Sequence, residues 1–274
     1  MLAGPDDREA GMGRLDTSTA NQIIEAGRRL VAAGFVDGTT GNVSARDGAR
    51  LLITPTSRDY RLLRSVDLVH IDLTSEETEG SWRPSSEWRM HAGVYRVRED
   101  VQAIVHHHAI WSSAVSVARL TIPVLIDEAA DIGPIPTAEY APSASPELAR
   151  VVSETIAQGH NAILLANHGA VAVGRSVAEA LRRALEVERI SQMFICAAIL
   201  GGAHPLDAMA ITRSREFFKG YRADHHVLVP TLRSGELMPE HARLNDVVSY
   251  AFRAGIEFIS LLQSLVLGRL SHHA

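Results

Sequence analysis

Residues 101–110 read VQAIVHHHAI. A short apolar run rich in β-branched residues reads as a strand, and this one ends in three consecutive histidines. Side chains along a strand alternate between its two faces. His106 and His108 therefore project to one side and His107 to the other. Two imidazoles at that spacing can share one metal ion. Zinc and related ions take His nitrogen at about 2.0–2.1 Å, and a catalytic site keeps three protein ligands and an open position. The third ligand must come from elsewhere. His168, in the turn-like ANHGAV of residues 166–171, is the candidate, because a turn between strands presents its side chain at a sheet edge. The competing reading is a polar strand end with no metal. His107 reads as a structural residue.

The pattern around this segment predicts strands and helices interleaved without regular βαβ spacing, which favours a mixed sheet with helices packed on it. Residues 19–35 and 109–120 have helical periodicity, and residues 83–100 continue as a helix with Ser85 or Ser86 as its N-cap. A helix is predicted over 144–159 with N-cap Ser145 and Pro146 in its first turn. The longest helix starts after Ser176 and ends at Gly201-Gly202. Strands are predicted over 42–45, 51–54, 67–73 and 122–127, and a strand pair over 161–174 is joined at Asn167-His168-Gly169. The expected organisation is a mobile N-terminus (1–17), a catalytic domain (18–205) and a helical C-terminal extension (206–274).

Composition excludes several classes. The 274 residues are 46% hydrophobic and 22% charged, with a formal net charge of −5 and no Lys/Arg block, which argues against nucleic acid as a partner. A single cysteine, Cys196, forbids an intramolecular disulfide and suits a reducing compartment. It falls in an apolar helical stretch and is expected in the core. The N-terminal segment lacks an apolar signal core, and no apolar run approaches the roughly 18 residues of a membrane span. A cytoplasmic protein with no membrane partner is the expectation.

Glu87 follows two serines at a predicted helix start, where backbone N–H groups favour an anion; plain capping is the alternative. TGNVSAR (40–46) and ITPTSR (53–58) are Gly/Ser/Thr loops at strand ends that offer donors to phosphate or carboxylate, or are simple turns. Taken together and in order, GTTGNVSAR, LLITPT, PSSEWRMHAGVYRVREDVQAIVHHHAIWSSAVS and LLANHGAVAVG resemble the class II aldolase/adducin family over residues 19 to 200. The resemblance implies a mixed α/β/α sandwich with a largely antiparallel central sheet. It implies a homotetramer with active sites between subunits. Its metal triad falls on His106, His108 and His168, and its catalytic carboxylate on Glu87. Its anion-binding loops fall on Gly41-Asn42, Thr56-Ser57 and Ser85-Ser86. Zinc is the first expectation for the ion, and Mn, Co or Fe fit the same donors. With all three ligands and Glu87 present, a non-catalytic adducin-like binding role is disfavoured.

Three departures shape the expected chemistry. Sugar-phosphate aldolases of the family usually carry Gly where Ser57 stands, and Arg58 follows it, a residue suited to carboxylates or else a solvent-exposed side chain. The fuculose-type catalytic Tyr has Asp127 in its place, an acid that serves as a proton donor or, with Glu128, caps the following helix. The tail beyond residue 207 exceeds a compact aldolase, with Tyr221, His225 and His226 as contributors to consider. The leading expectation is therefore a metal-dependent decarboxylase of a hydroxylated aromatic or pyridine (di)carboxylate, acting in aromatic catabolism through a metal-stabilised carbanion or enolate. The alternative is an aldolase cleaving a sugar phosphate or hydroxy-keto acid.

Overall fold

The computed structural model describes residues 17–37 and 39–224, with side chains described for 18–37 and 39–220. Among the described residues, eight strands form one sheet. In chain order they are β1 (Asn42–Asp47), β2 (Arg50–Ile53), β3 (Val69–Asp72), β4 (Thr78–Glu79), β5 (Ala103–His107), β6 (Thr137–Ala138), β7 (Ala162–Leu165) and β8 (Gly169–Gly174). Their order across the sheet is β4-β3-β2-β1-β5-β8-β7-β6. All neighbours are antiparallel except the parallel β6–β7 edge pair. This is the mixed, largely antiparallel sheet flanked by helices that the resemblance implied.

Alternation along the strands sorts the core into two layers. Val43, Ala45, Ala103, Val105, Ala170 and Ala172 pack with α1 (Thr17–Ala32) and α5 (Val177–Ile199). Ile104, Ile163, Leu165, Val171 and Val173 pack with α2 (Trp88–Val97) and α4 (Pro146–Ala157). Ser145 and Ser176 cap α4 and α5 as expected, accepting from Leu148 N at 3.0 Å and Glu179 N at 3.1 Å. No helix among the described residues is long and apolar enough to cross a membrane.

Several local expectations fail for identifiable reasons. Residues 122–127 do not form a strand: Ile122 makes an isolated bridge with Ile135, and the chain then turns into a 3-10 segment, Asp127–Asp131. Pro123 has no N–H to give a ladder, and Leu206 N takes the Val124 carbonyl at 2.8 Å. Helix α2 starts at Trp88 with Glu87, not a serine, in the N-cap position and with no side-chain capping bond. Ser85 Oγ instead accepts from Glu87 N at 3.3 Å. Cys196 is helical but exposed, because the buried face of α5 ends at Ser191. The N-terminal segment up to residue 16 and residues 225–274, including His225 and His226, lie outside the described residues, as does the side chain of Tyr221.

Two devices hold the end of β5. Helix α3 (Ile110–Val117) begins just past it, and the buried Glu188 carboxylate of α5 accepts from Trp111 N and Ser112 N at 2.8 Å each. This satisfies two of the donors a helix start leaves free. Gly169 opens β8 where a Cβ would strike the His107 carbonyl and lie 2.9 Å from His108 Cδ2. Glu188→Ala should cost about 1–3 kcal/mol of stability by stranding those donors. Gly169→Ala should cost about 1–3 kcal/mol by overpacking. Urea denaturation checks both, and an unchanged midpoint for either contradicts the contact concerned.

Candidate metal centre

Sheet register assembles the centre. His106 lies opposite Asn42 of β1 and Val171 of β8, and His107 lies opposite Ala170. One step further, His108 leaves the strand with its N–H on the Phe35 carbonyl at 3.1 Å. The β7–β8 turn is thereby set beside it, with Asn167 in the left-handed region (φ 56°) and His168 N on Leu165 O at 3.0 Å. Gly41 (φ 67°) permits the matching approach from the other side, since a Cβ there would lie 2.6 Å from the His106 carbonyl.

The rings of His106, His108 and His168 meet edge-on, their centroids 4.7, 4.9 and 4.8 Å apart. His106 Nδ1 donates to Ala170 O at 2.9 Å, which fixes the ring and turns Nε2 toward the centre. That Nε2 lies 2.9 Å from His108 Nε2 and 3.1 Å from Glu87 Oε2, and His168 Nε2 lies 3.3 Å from Glu87 Oε1. One ligand atom from each of the four residues lies within 4.8 Å of the others. Tetrahedral zinc separates its nitrogen ligands by roughly 3.3 Å, so the spacing suits a divalent ion.

Electrostatics favour the neutral imidazole at His108 and His168. Burial, then the charges of His106 and His168, push His108 down to about 3. Burial and His106 push His168 down to about 4. Burial opposes the charged form of Glu87, but attraction and hydrogen bonding to His106, with the charge of His168, hold its carboxyl well below the ordinary range. Burial likewise opposes protonation of His106, and Glu87 overcomes it. His107 points to the opposite face, its ring centroid 5.1 Å from that of Phe35.

Two further side chains orient Glu87: Asn42 Nδ2 donates to Oε2 at 3.0 Å, and Ser143 Oγ donates to Oε1 at 2.9 Å. Asn42 Oδ1 in turn meets His91 Nε2, and His91 Nδ1 meets Ser44 Oγ at 2.7 Å. Ser143 and His91 were not singled out from sequence. Nothing in APSASPEL marks Ser143. His91 had a legible signal, because Glu87, His91 and Tyr95 recur every four residues and share one face of α2.

The three Gly/Ser/Thr loops converge at the same sheet end. Thr54 N bonds Val43 O at 3.1 Å, Ser85 N bonds Thr54 O at 3.1 Å, and Thr56 N bonds Arg83 O at 3.1 Å. Tyr60 OH donates to Gly41 O at 2.6 Å. Ser85 is buried and Ser86 exposed. Ser57 adopts φ 56°, the conformation a glycine takes without cost. The Arg58 guanidinium carbon lies 4.0 Å from the centre of the Trp82 ring. Asp127 is exposed, outside the converging donors of its own chain, and accepts from Ser214 Oγ at 2.6 Å. No side-chain cap is made at the start of its 3-10 segment. Ser214 belongs to α6 (Ala208–Asp224), which packs on this segment, and Arg215 Nε bonds Ala130 O at 2.6 Å.

Comparison with known proteins identifies the family. The profile of the class II aldolase and adducin N-terminal domain matches residues 21–195. A 5-methylthioribulose-1-phosphate/5-deoxyribulose-1-phosphate aldolase of Rhodospirillum rubrum is 36% identical over 205 residues, covering 73% of this chain and 90% of that protein. The L-fuculose phosphate aldolase of Escherichia coli K12 is 38% identical over 178 residues, covering 64% of this chain and 82% of that protein. A solved L-fuculose 1-phosphate aldolase structure superposes with a TM-score of 0.71 at 30% identity, covering 74% of this chain and 97% of that one. With the profile spanning most of the chain and the fold in agreement, this protein belongs to the class II aldolase and adducin family, as one of its metal-dependent lyases.

Proposed function

We propose that this protein is a divalent-metal aldolase that splits a phosphorylated ketose by retro-aldol cleavage. The observation that carries the reading is the convergence of three imidazole Nε2 atoms and one buried carboxylate beside three donor-rich loops. His106, His108 and His168 would hold the ion, zinc first, with Mn, Co or Fe able to take the same donors, and it would supply Lewis acidity to the substrate oxygens.

The protein's own groups do the rest. Retro-aldol cleavage removes a hydroxyl proton from one fragment and delivers a proton to the carbon of the other. Glu87, oriented by Asn42 and Ser143, is the carboxylate at the centre and carries the proton on its Oε atoms. Gly41-Asn42, Thr56-Ser57 and Ser85-Ser86 hold the phosphate. Arg58, stacked on Trp82, adds a cation to the same loop. Asp127, outside its own chain's donor cluster, is assigned to a neighbouring site in a homotetramer. The catalytic unit spans residues 18 to about 205, residues 206–274 form an extension, and the enzyme works in the cytoplasm.

Decarboxylation of a hydroxylated aromatic carboxylate was the leading expectation because Ser57 with Arg58, and Asp127 in place of the catalytic Tyr, depart from the sugar-phosphate pattern. Ser57 nevertheless holds the left-handed backbone of a glycine, so the departure alters a side chain while keeping that glycine-like backbone. The relatives described above are named as sugar-phosphate aldolases. Both observations favour aldol cleavage.

A coupled assay of dihydroxyacetone phosphate release from a panel of ketose 1-phosphates tests the reading. Release is expected with metal, lost on chelation and restored by zinc. Carbon dioxide release from ortho-hydroxy aromatic dicarboxylates, with no aldol product, would replace it. Glu87→Gln should keep its metal and lose about 10²- to 10⁴-fold in kcat; a near-normal kcat removes Glu87 from proton transfer. His108→Ala should stay folded by circular dichroism and lose most bound zinc, and stoichiometric zinc by elemental analysis contradicts the ligand assignment.

A further inference from the structure

We propose that His91 is a positioning residue that sets the orientation of the Asn42 amide and, through it, of the Glu87 carboxylate. The inference rests on the proton-transfer role given to Glu87. It is carried by a buried chain of hydrogen bonds that has only one consistent direction. Glu87 Oε2 lies 3.0 Å from the Asn42 amide. A carboxylate only accepts, so the Asn42 NH2 must face it and the Asn42 oxygen must face His91. His91 Nε2, in contact with that oxygen, must therefore carry a hydrogen. A neutral imidazole has one, so Nδ1 is an acceptor and Ser44 Oγ donates to it across 2.7 Å. Ser44 Oγ is then free to accept from Tyr95 OH at 2.8 Å. Every donor along Tyr95–Ser44–His91–Asn42 points toward Glu87.

All five side chains in this chain are buried, with His91 fully enclosed, which shields these bonds from bulk solvent. If the Asn42 amide flipped, its carbonyl would face the carboxylate, and His91 Nε2–H prevents this by bonding that carbonyl. An amide does not pass a proton along such a chain, so His91 acts on geometry rather than as a proton conduit. Tyr95 and His91 reach the chain from α2, the helix whose N-cap is Glu87. The same helix therefore supplies both the carboxylate and the group that orients its partner.

Two substitutions separate hydrogen bonding from packing. His91→Phe keeps a ring of similar size without a donor; His91→Gln gives up the ring and keeps an N–H near the Nε2 position. With both variants folded and metal-replete, Phe should lower kcat about 10- to 100-fold with KM changed less than about 3-fold, and Gln should recover most of the loss. Phe activity equal to wild type, or Gln no better than Phe, overturns the proposal. If neither variant folds, the imidazole ¹⁵N–¹H spectrum of the zinc-loaded wild-type chain decides. The Nε2–H tautomer is expected at His91, and the Nδ1–H tautomer overturns the proposal. A wild-type protein without aldol activity but with the Nε2–H tautomer would remove the proposed reaction while leaving the orientation of Glu87 intact.

Discussion

The register between β5 and β8 is the constraint on which the centre depends. With His107 opposite Ala170, the turn carrying His168 is fixed one step beyond the strand end, where His108 emerges. A one-residue slip would turn His106 to the α1/α5 face and carry His168 away from it. The register is protected on both sides: Gly169 admits the β8 backbone, and Gly41 admits the β1 end against the His106 carbonyl. The apolar alternation of β5 and β8 makes any slip costly, since it would move valines into the alanine layer beneath α5.

Glu87 presents the opposite problem, a charge taken out of water. Burying a carboxylate is expensive unless it is paired and hydrogen-bonded. Here each oxygen faces one imidazole nitrogen and one neutral donor, Asn42 for Oε2 and Ser143 for Oε1. The cost is offset locally, and the same contacts aim the group. That explains why α2 starts without a side-chain cap: the residue in the capping position is committed to the centre. Ser85 and the chain from Tyr95 to Asn42 then support a carboxylate that contributes nothing to its own helix.

Much of this was legible in the sequence. Period-two and period-3.6 patterns located β1, β5, β7, β8, α4 and α5, and capping serines marked the starts of the last two helices. The two short edge strands, β4 and β6, have two residues each and carry no periodic signal. Residues 122–127 misled because apolar side chains suggested a strand while Pro123 and the Leu206 contact removed its ladder. Cys196 misled because helical apolarity does not say where a helix outruns the core it packs on.

The sequence by itself determined the family, the two faces of β5, and the histidines and glutamate as a set, because strand alternation is local and the motifs are contiguous. Tertiary structure decided how those groups meet. Asn42 and His91 are 49 residues apart and Ser143 lies 56 from Glu87, and only the sheet order and the packing of α2 and α4 bring them together. It also decided that Ser57 stands in a glycine-like conformation and that Arg58 rests on Trp82. Backbone dihedrals and ring contacts depend on neighbours distant in the chain, and local pattern carries no record of them.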